Sequence, residues 1–111
     1  MQRYIKQFKY YGEDSPKNTD GITKESLANG GTFNNFTPIV KLGIQTIPGV
    51  RFYLNGSDEN IIVGGNGLFE LDLEDRIQIT GLRFSPASIN LINESEKSHL
   101  LIDVVYESTE E

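Results

Sequence analysis

Few side chains in this sequence could do chemistry, and their spacing argues against most of it. His99 is the sole histidine, and there is no cysteine. A catalytic imidazole wants an activated nucleophile within hydrogen-bond reach. Ser98 is adjacent, but neighbours along a strand project to opposite faces. His99 therefore reads as a polar residue opening the last strand. Without cysteine, neither a disulfide framework nor a thiolate metal site can form. Asp72, Glu74 and Asp75, joined by Asp58 and Glu59 from another loop, could offer oxygens to calcium. Calcium takes about six to eight oxygens, usually from closely spaced acids. Here Leu73 interrupts the run, and no Asp-x-Asp-x-Asp-Gly pattern follows. Glu70 and Asp72 share a strand face in the manner of a glycosidase pair, but two solvent-facing acids on a strand are far more often just the wet side of a sheet. Val63-Gly64-Gly65-Asn66-Gly67 imitates a phosphate cradle, yet no Lys-Ser/Thr and no helix follow it. It reads as a hairpin turn. The expectation is a protein that is not an enzyme, with no metal and no cofactor.

Aromatic residues are the more suggestive feature. Tyr4, Phe8, Tyr10 and Tyr11 crowd the first segment, interleaved with Lys6. Tyrosine packs with its ring and keeps a polar handle, and aromatics with cations also mark interface cores. These five residues are candidates for a protein contact, with core packing as the equal alternative. Tyr53 with Asn55 could begin a sugar-binding surface.

The elements that would position these residues are mostly strands. The segment 3–11 alternates imperfectly but is rich in strand-forming residues. It is either a first strand or an N-terminal arm that reaches a neighbour, followed by a loop from Gly12 to Asn18. Thr23 can cap a short helix through Leu27 or Ala28, with Glu25 near its positive end and Gly30-Gly31 ending it. From Ile39 onward a period of two recurs, broken by Pro48-Gly49, Asn55-Gly56 and the glycines after Val63. Strands are expected at 39–46, 50–54, 60–64, 68–73 and 100–107. Val40, Leu42, Ile44, Val50, Phe52, Leu54, Phe69, Leu71, Leu73, Ile102 and Val104 form the expected core. Ile77 and Ile79 begin another strand, but the apolar phase shifts to Leu82 and Phe84, which predicts a bulge or bend near Gly81. The segment 85–92 is open between loop, helix and strand. The expected fold is all-β: one domain, an antiparallel β-sandwich with one short helix, a jelly-roll-like arrangement or a barrel being the alternatives.

Charge limits the partners. The net charge is −6, unevenly spread. Residues 1–24 hold five basic and three acidic groups, net +2, and the remainder five basic and thirteen acidic, net −8. A duplex binder needs a basic face, so nucleic acid is not an expected partner. Met1 to Lys6 has no apolar core of the signal-peptide kind, and the uncharged runs are too short for a membrane span. Synthesis and folding in a cytoplasm are expected, with no membrane partner.

Gly49-Val-Arg-Phe-Tyr-Leu-Asn-Gly56, Ile61-Ile-Val-Gly64, Gly67-Leu-Phe-Glu-Leu-Asp-Leu73 and Leu100-Leu-Ile-Asp-Val-Val-Tyr-Glu107 together resemble small virion-associated proteins of tailed phages and prophages of clostridia and related gut bacteria. Tyr4-Ile-Lys-Gln-Phe-Lys-Tyr-Tyr-Gly12 and Phe33-Asn-Asn-Phe-Thr-Pro-Ile39 also fit that group. The resemblance spans most of the chain and carries no catalytic signature. It implies a virion structural component, either a capsid decoration or accessory protein or a tail or baseplate part. Its partners would be copies of itself and other virion proteins. A carbohydrate- or receptor-binding module is the alternative from a second class.

Overall fold

The computed structural model describes residues 2–19, 21–72, 79–94 and 97–108. Its elements in chain order are β1 (Gln2–Tyr10), α1 (Lys24–Asn29), a 3-10 turn (Gly31–Phe36), β2 (Ile39–Ile47), β3 (Val50–Leu54), β4 (Asn60–Val63), β5 (Gly67–Asp72), β6 (Leu82–Phe84), α2 (Pro86–Asn93) and β7 (His99–Ser108). They form two antiparallel sheets. One has four strands in the order β1-β7-β2-β5, the other three in the order β4-β3-β6. The mostly antiparallel, sandwich-like fold expected from the periodicity is present.

A single apolar cluster joins the two sheets. An unbroken run of ring contacts crosses it: Tyr4–Tyr106, Tyr106–Phe36, Phe36–Phe8, Phe8–Phe33, Phe33–Phe84, Phe84–Phe52 and Phe52–Phe69, with centroids 5.1 to 6.2 Å apart. Most are edge-to-face or tilted, as ring quadrupoles prefer. Of the expected core, Val40, Leu42, Ile44, Val50, Phe52, Ile102 and Val104 are buried, while Leu54, Phe69 and Leu71 are half-buried against it. Leu73 lies outside the described residues.

The first helix forms where its cap predicts. Thr23 Oγ1 accepts from the Ser26 N–H at 3.0 Å, and Ser26 Oγ accepts from the Thr23 N–H at 2.9 Å, which closes a capping box. Gly30 ends the helix at φ 81°, with a Cβ position 2.6 Å from the Leu82 carbonyl oxygen, so only glycine fits. Such a short helix is stable only when docked, and it docks through fully buried Leu27, followed by Phe33 in the 3-10 turn.

Three features extend or depart from the sequence reading. The ambiguous segment is helical: Pro86 fills the first turn of α2, and Ile89 and Ile92 are buried one turn apart. The glycines after Val63 do not close a hairpin. They turn the chain from β4 in the small sheet to β5 in the large one, with the Gly67 N–H on the Gly64 carbonyl at 2.8 Å. The phase change near Gly81 has the same origin. Ile79 pairs with Ile39 of the large sheet, and Leu82–Phe84 pairs with β3 of the small one. A chain that switches sheets must present a new face to the core.

Candidate interaction surface

The aromatic first segment is an integral strand. β1 pairs with β7 in an unbroken register from Gln2↔Ser108 to Tyr10↔Leu100. Phe8 and Tyr10, two of the five contact candidates, are only 2% and 1% exposed. They are core residues of this chain and are unavailable to a partner, which corrects that expectation. Their alternation with exposed lysines hid the fact, because an edge strand buries one face only. Tyr4 is half-buried and stacks on Tyr106 at 5.6 Å, while Lys6 is exposed. Tyr11, beyond the strand, is half-buried, with Lys17 Nζ 5.6 Å from its ring centroid.

The far end of β1 is tied down by the chain itself. The Lys9 N–H donates to Thr19 Oγ1 at 2.9 Å, and the Thr19 N–H donates to the Lys9 carbonyl at 3.0 Å. The Tyr11 N–H donates to Asn18 Oδ1 at 2.7 Å, and Asn18 Nδ2 donates to the Gly12 carbonyl at 2.8 Å. From the other side, Asn93 Oδ1 accepts from the Tyr10 hydroxyl at 2.7 Å and from the Glu13 N–H at 2.8 Å. Burial pushes the Tyr10 hydroxyl above its ordinary pKa of 10.0, opposed by the Asn93 bond and aided by the charges of Glu13, Glu25 and Asp14. A polar groove runs along this loop between Tyr10, Glu13, Asn18, Thr23 and Lys24, with Lys24 Nζ 3.5 Å from Glu13 Oε2.

The near end of β1 differs. Backbone groups alternate sides along a strand. Lys9 turns its groups away from β7, so Gln7, Ile5 and Arg3 do the same. β1 has one strand neighbour among the described residues and is there the edge strand of its sheet. At the opposite end of the sheet, the Thr46 carbonyl accepts from the Asn66 N–H at 3.0 Å and thus faces the β5 side. Ile44 and Leu42 follow it and pair with Phe69 and Leu71. Leu68, Glu70 and Asp72 are therefore turned outward. β1 carries Arg3, Lys6 and Lys9 and no acid; β5 carries Glu70 and Asp72 and no base. Ile5 is 78% exposed and Leu68 64%, both on the outer face of the sheet.

Between these edges the outer face mixes charged and polar residues with half-buried Leu101 and Val105. Gly43 leaves a shallow depression flanked in register by Asp103 and Glu70, and Gln7 Nε2 donates to Asp103 Oδ1 at 2.8 Å. Glu70 thus lies on an open face. His99 opens β7 as expected, its ring 6.3 Å from that of Tyr11. No group of three or more His, Asp or Glu side chains that could hold a metal occurs among the described residues. No described helix is long and apolar enough to cross a membrane.

The sugar-platform residues have other tasks. The Arg83 guanidinium lies over one face of the Tyr53 ring, 4.0 Å from its centroid. Asn55, at φ 53°, accepts with Oδ1 from the Thr80 N–H at 2.7 Å and the Gly81 N–H at 3.3 Å. It holds the point where the chain changes sheets. Tyr53 and Asn55, the expected sugar-binding pair, thus both make contacts within the chain.

No family model, no curated protein and no solved structure matches this chain.

Proposed function

We propose that this protein is a non-enzymatic structural subunit of a phage virion, acting through protein–protein contacts in a repeated assembly. The observation that carries the assembly reading is that, among the described residues, the four-stranded sheet ends on β1, whose charged residues are cations, and on β5, whose charged residues are acids. Edge strands offer unpaired backbone groups, and opposite charge orients copies toward each other. The virion setting rests on the resemblance of the strand-and-turn pattern. Whether the site is capsid or tail is left to the particle experiment below.

The test has two arms. Sedimentation velocity should find concentration-dependent self-association that weakens with added salt, since exposed charges are screened over about 8–10 Å at physiological ionic strength. Immunogold labelling of purified phage particles should decorate capsid or tail at regular spacing. Particles without label would remove the virion reading.

A further inference from the structure

Among the described residues, four large apolar side chains stand exposed: Ile5, Ile62, Leu68 and Leu91. Two of them, Ile62 and Leu91, rim one depression. It lies on the outside of the small sheet, between β3, β4 and the first turns of α2, with a volume of about 350 Å³. We propose that this groove receives Leu68 and Glu70 of a second copy, Glu70 pairing with Arg51. This rests on the assembly reading above and names its contact.

The groove calls for an apolar side chain with an acid beside it. Val50 and Phe52 are buried in the core, so Arg51 between them points outward. Its register partner on β4 is Ile62, which points the same way because Val63 is buried. A cation and an apolar side chain thus stand side by side, their Cβ atoms about 4.5–5.5 Å apart. The Arg51 guanidinium has no hydrogen bond or ion pair among the described residues. No acid among the described residues lines the groove. The start of α2 adds to the positive field, since Ser85, Ala87 and Ser88 border the groove and Ser85 makes no side-chain cap bond.

The same chain presents the matching pair. Leu68 and Glu70 are exposed on the outer face of β5, two steps of strand rise and so about 6.6–6.8 Å apart. The long side chains of arginine and glutamate span the small difference in spacing. Glu70 has no hydrogen bond or ion pair among the described residues, and its register partner on β2 is Gly43, which puts no side chain beside it. Leu68 is 64% exposed, so it does not fill the groove of its own chain. Ile5, the other exposed apolar residue, fits the groove poorly. Its neighbours on the same face are Gln7 and Arg3, and Arg3, already paired with Glu107, would bring a cation toward Arg51. Donor and groove belong to different sheets, so the copies touch through different patches. Such a joint closes into a ring if the rotation permits and otherwise runs on as a filament.

The experiment uses the full chain and three exposed substitutions, Arg51→Glu, Glu70→Arg and Leu68→Ser, with circular dichroism to verify folding. Each alone should weaken self-association about fivefold or more in sedimentation velocity. The double variant Arg51→Glu/Glu70→Arg restores opposite charge across the joint and should recover wild-type association. Ile5→Ser, outside the joint, should leave association unchanged. A double variant as weak as either single one overturns the proposal. So does a loss from one charge reversal without a loss from the other, because Arg51 and Glu70 then meet different partners. Weakening by Ile5→Ser with none by Leu68→Ser overturns it as well. If all three single variants associate as wild type does, this joint is wrong and the assembly uses another surface. A wild-type chain that stays monomeric up to about millimolar concentration defeats the joint and the assembly reading together.

Discussion

The two ends of β1 both mix aromatic and basic residues but meet opposite circumstances. From Phe8 to Tyr10 the strand is locked on both flanks: β7 holds one side, the 12–19 loop holds the other, and two rings enter the core. From Arg3 to Gln7 its strand neighbour among the described residues is β7, and its outer-face side chains are exposed, Arg3 paired with Glu107 and Gln7 with Asp103. The contrast shows how one strand can be locked into the core at one end and form the margin of the sheet at the other. Capping the far half limits how long the exposed edge is, and the length of an unguarded edge decides whether it pairs selectively or aggregates.

Deleting residues 1–11 is the most severe way to break this comparison. It removes a sheet strand with Phe8 and Tyr10, and the chain should unfold, since the whole stability of such a domain is about 5–15 kcal/mol. Loss of the β-sheet circular dichroism signal is the expected result. A truncated chain that stays folded would mean the locked half contributes nothing. Next in size, Phe8→Ala should cost about 3–5 kcal/mol in denaturant unfolding, matching Phe52→Ala in the centre of the core. A much smaller loss at Phe8 would place the core boundary one strand inward.

Asn93→Ala sharpens the picture of the lock. It strands the Tyr10 hydroxyl and the Glu13 N–H, and should cost about 1–3 kcal/mol. Limited proteolysis should then cut within residues 12–19 before other sites. Tyr10 also gives the lock a pH signature. Its folded pKa is raised, so the folded state holds the proton where the unfolded state has lost it. That contribution is fully present below pH 10 and is lost as pH rises from there through the folded value. Unfolding free energy measured above pH 10 should fall more steeply for wild type than for Tyr10→Phe. The smallest effect belongs to the open half: Ile5→Ser should change stability by no more than about 0.5 kcal/mol. A larger loss would show that Ile5 packs on something.

The strands from β2 onward were legible because each buries one face, and a period of two survives translation into sequence. The capping box at Thr23 was legible for the same reason, as its bonds are local. Phe33, Ile22 and Ile89 were not legible as core, because nothing in their neighbourhood is periodic. They are buried by docking, not by pattern. Nor could the sequence separate Phe8 and Tyr10 from Lys6, which shares their face: which rungs of an edge strand are covered depends on the distant 3-10 turn that brings Phe33 and Phe36 over Phe8.

The sequence by itself determined the strand count to within the described residues, the first helix, most of the central core and the basic and acidic ends of the charge distribution. All of these depend on residues close together in the chain. Only the tertiary structure decided that the Gly64–Gly67 turn crosses between sheets, that β1 belongs to its own chain, and that the basic and acidic strands lie at opposite ends of one sheet. Strand order is set by pairing residues as far apart as Gln2 and Ser108. Such pairing depends on which buried faces meet, and a linear pattern of apolar and polar residues carries no record of that.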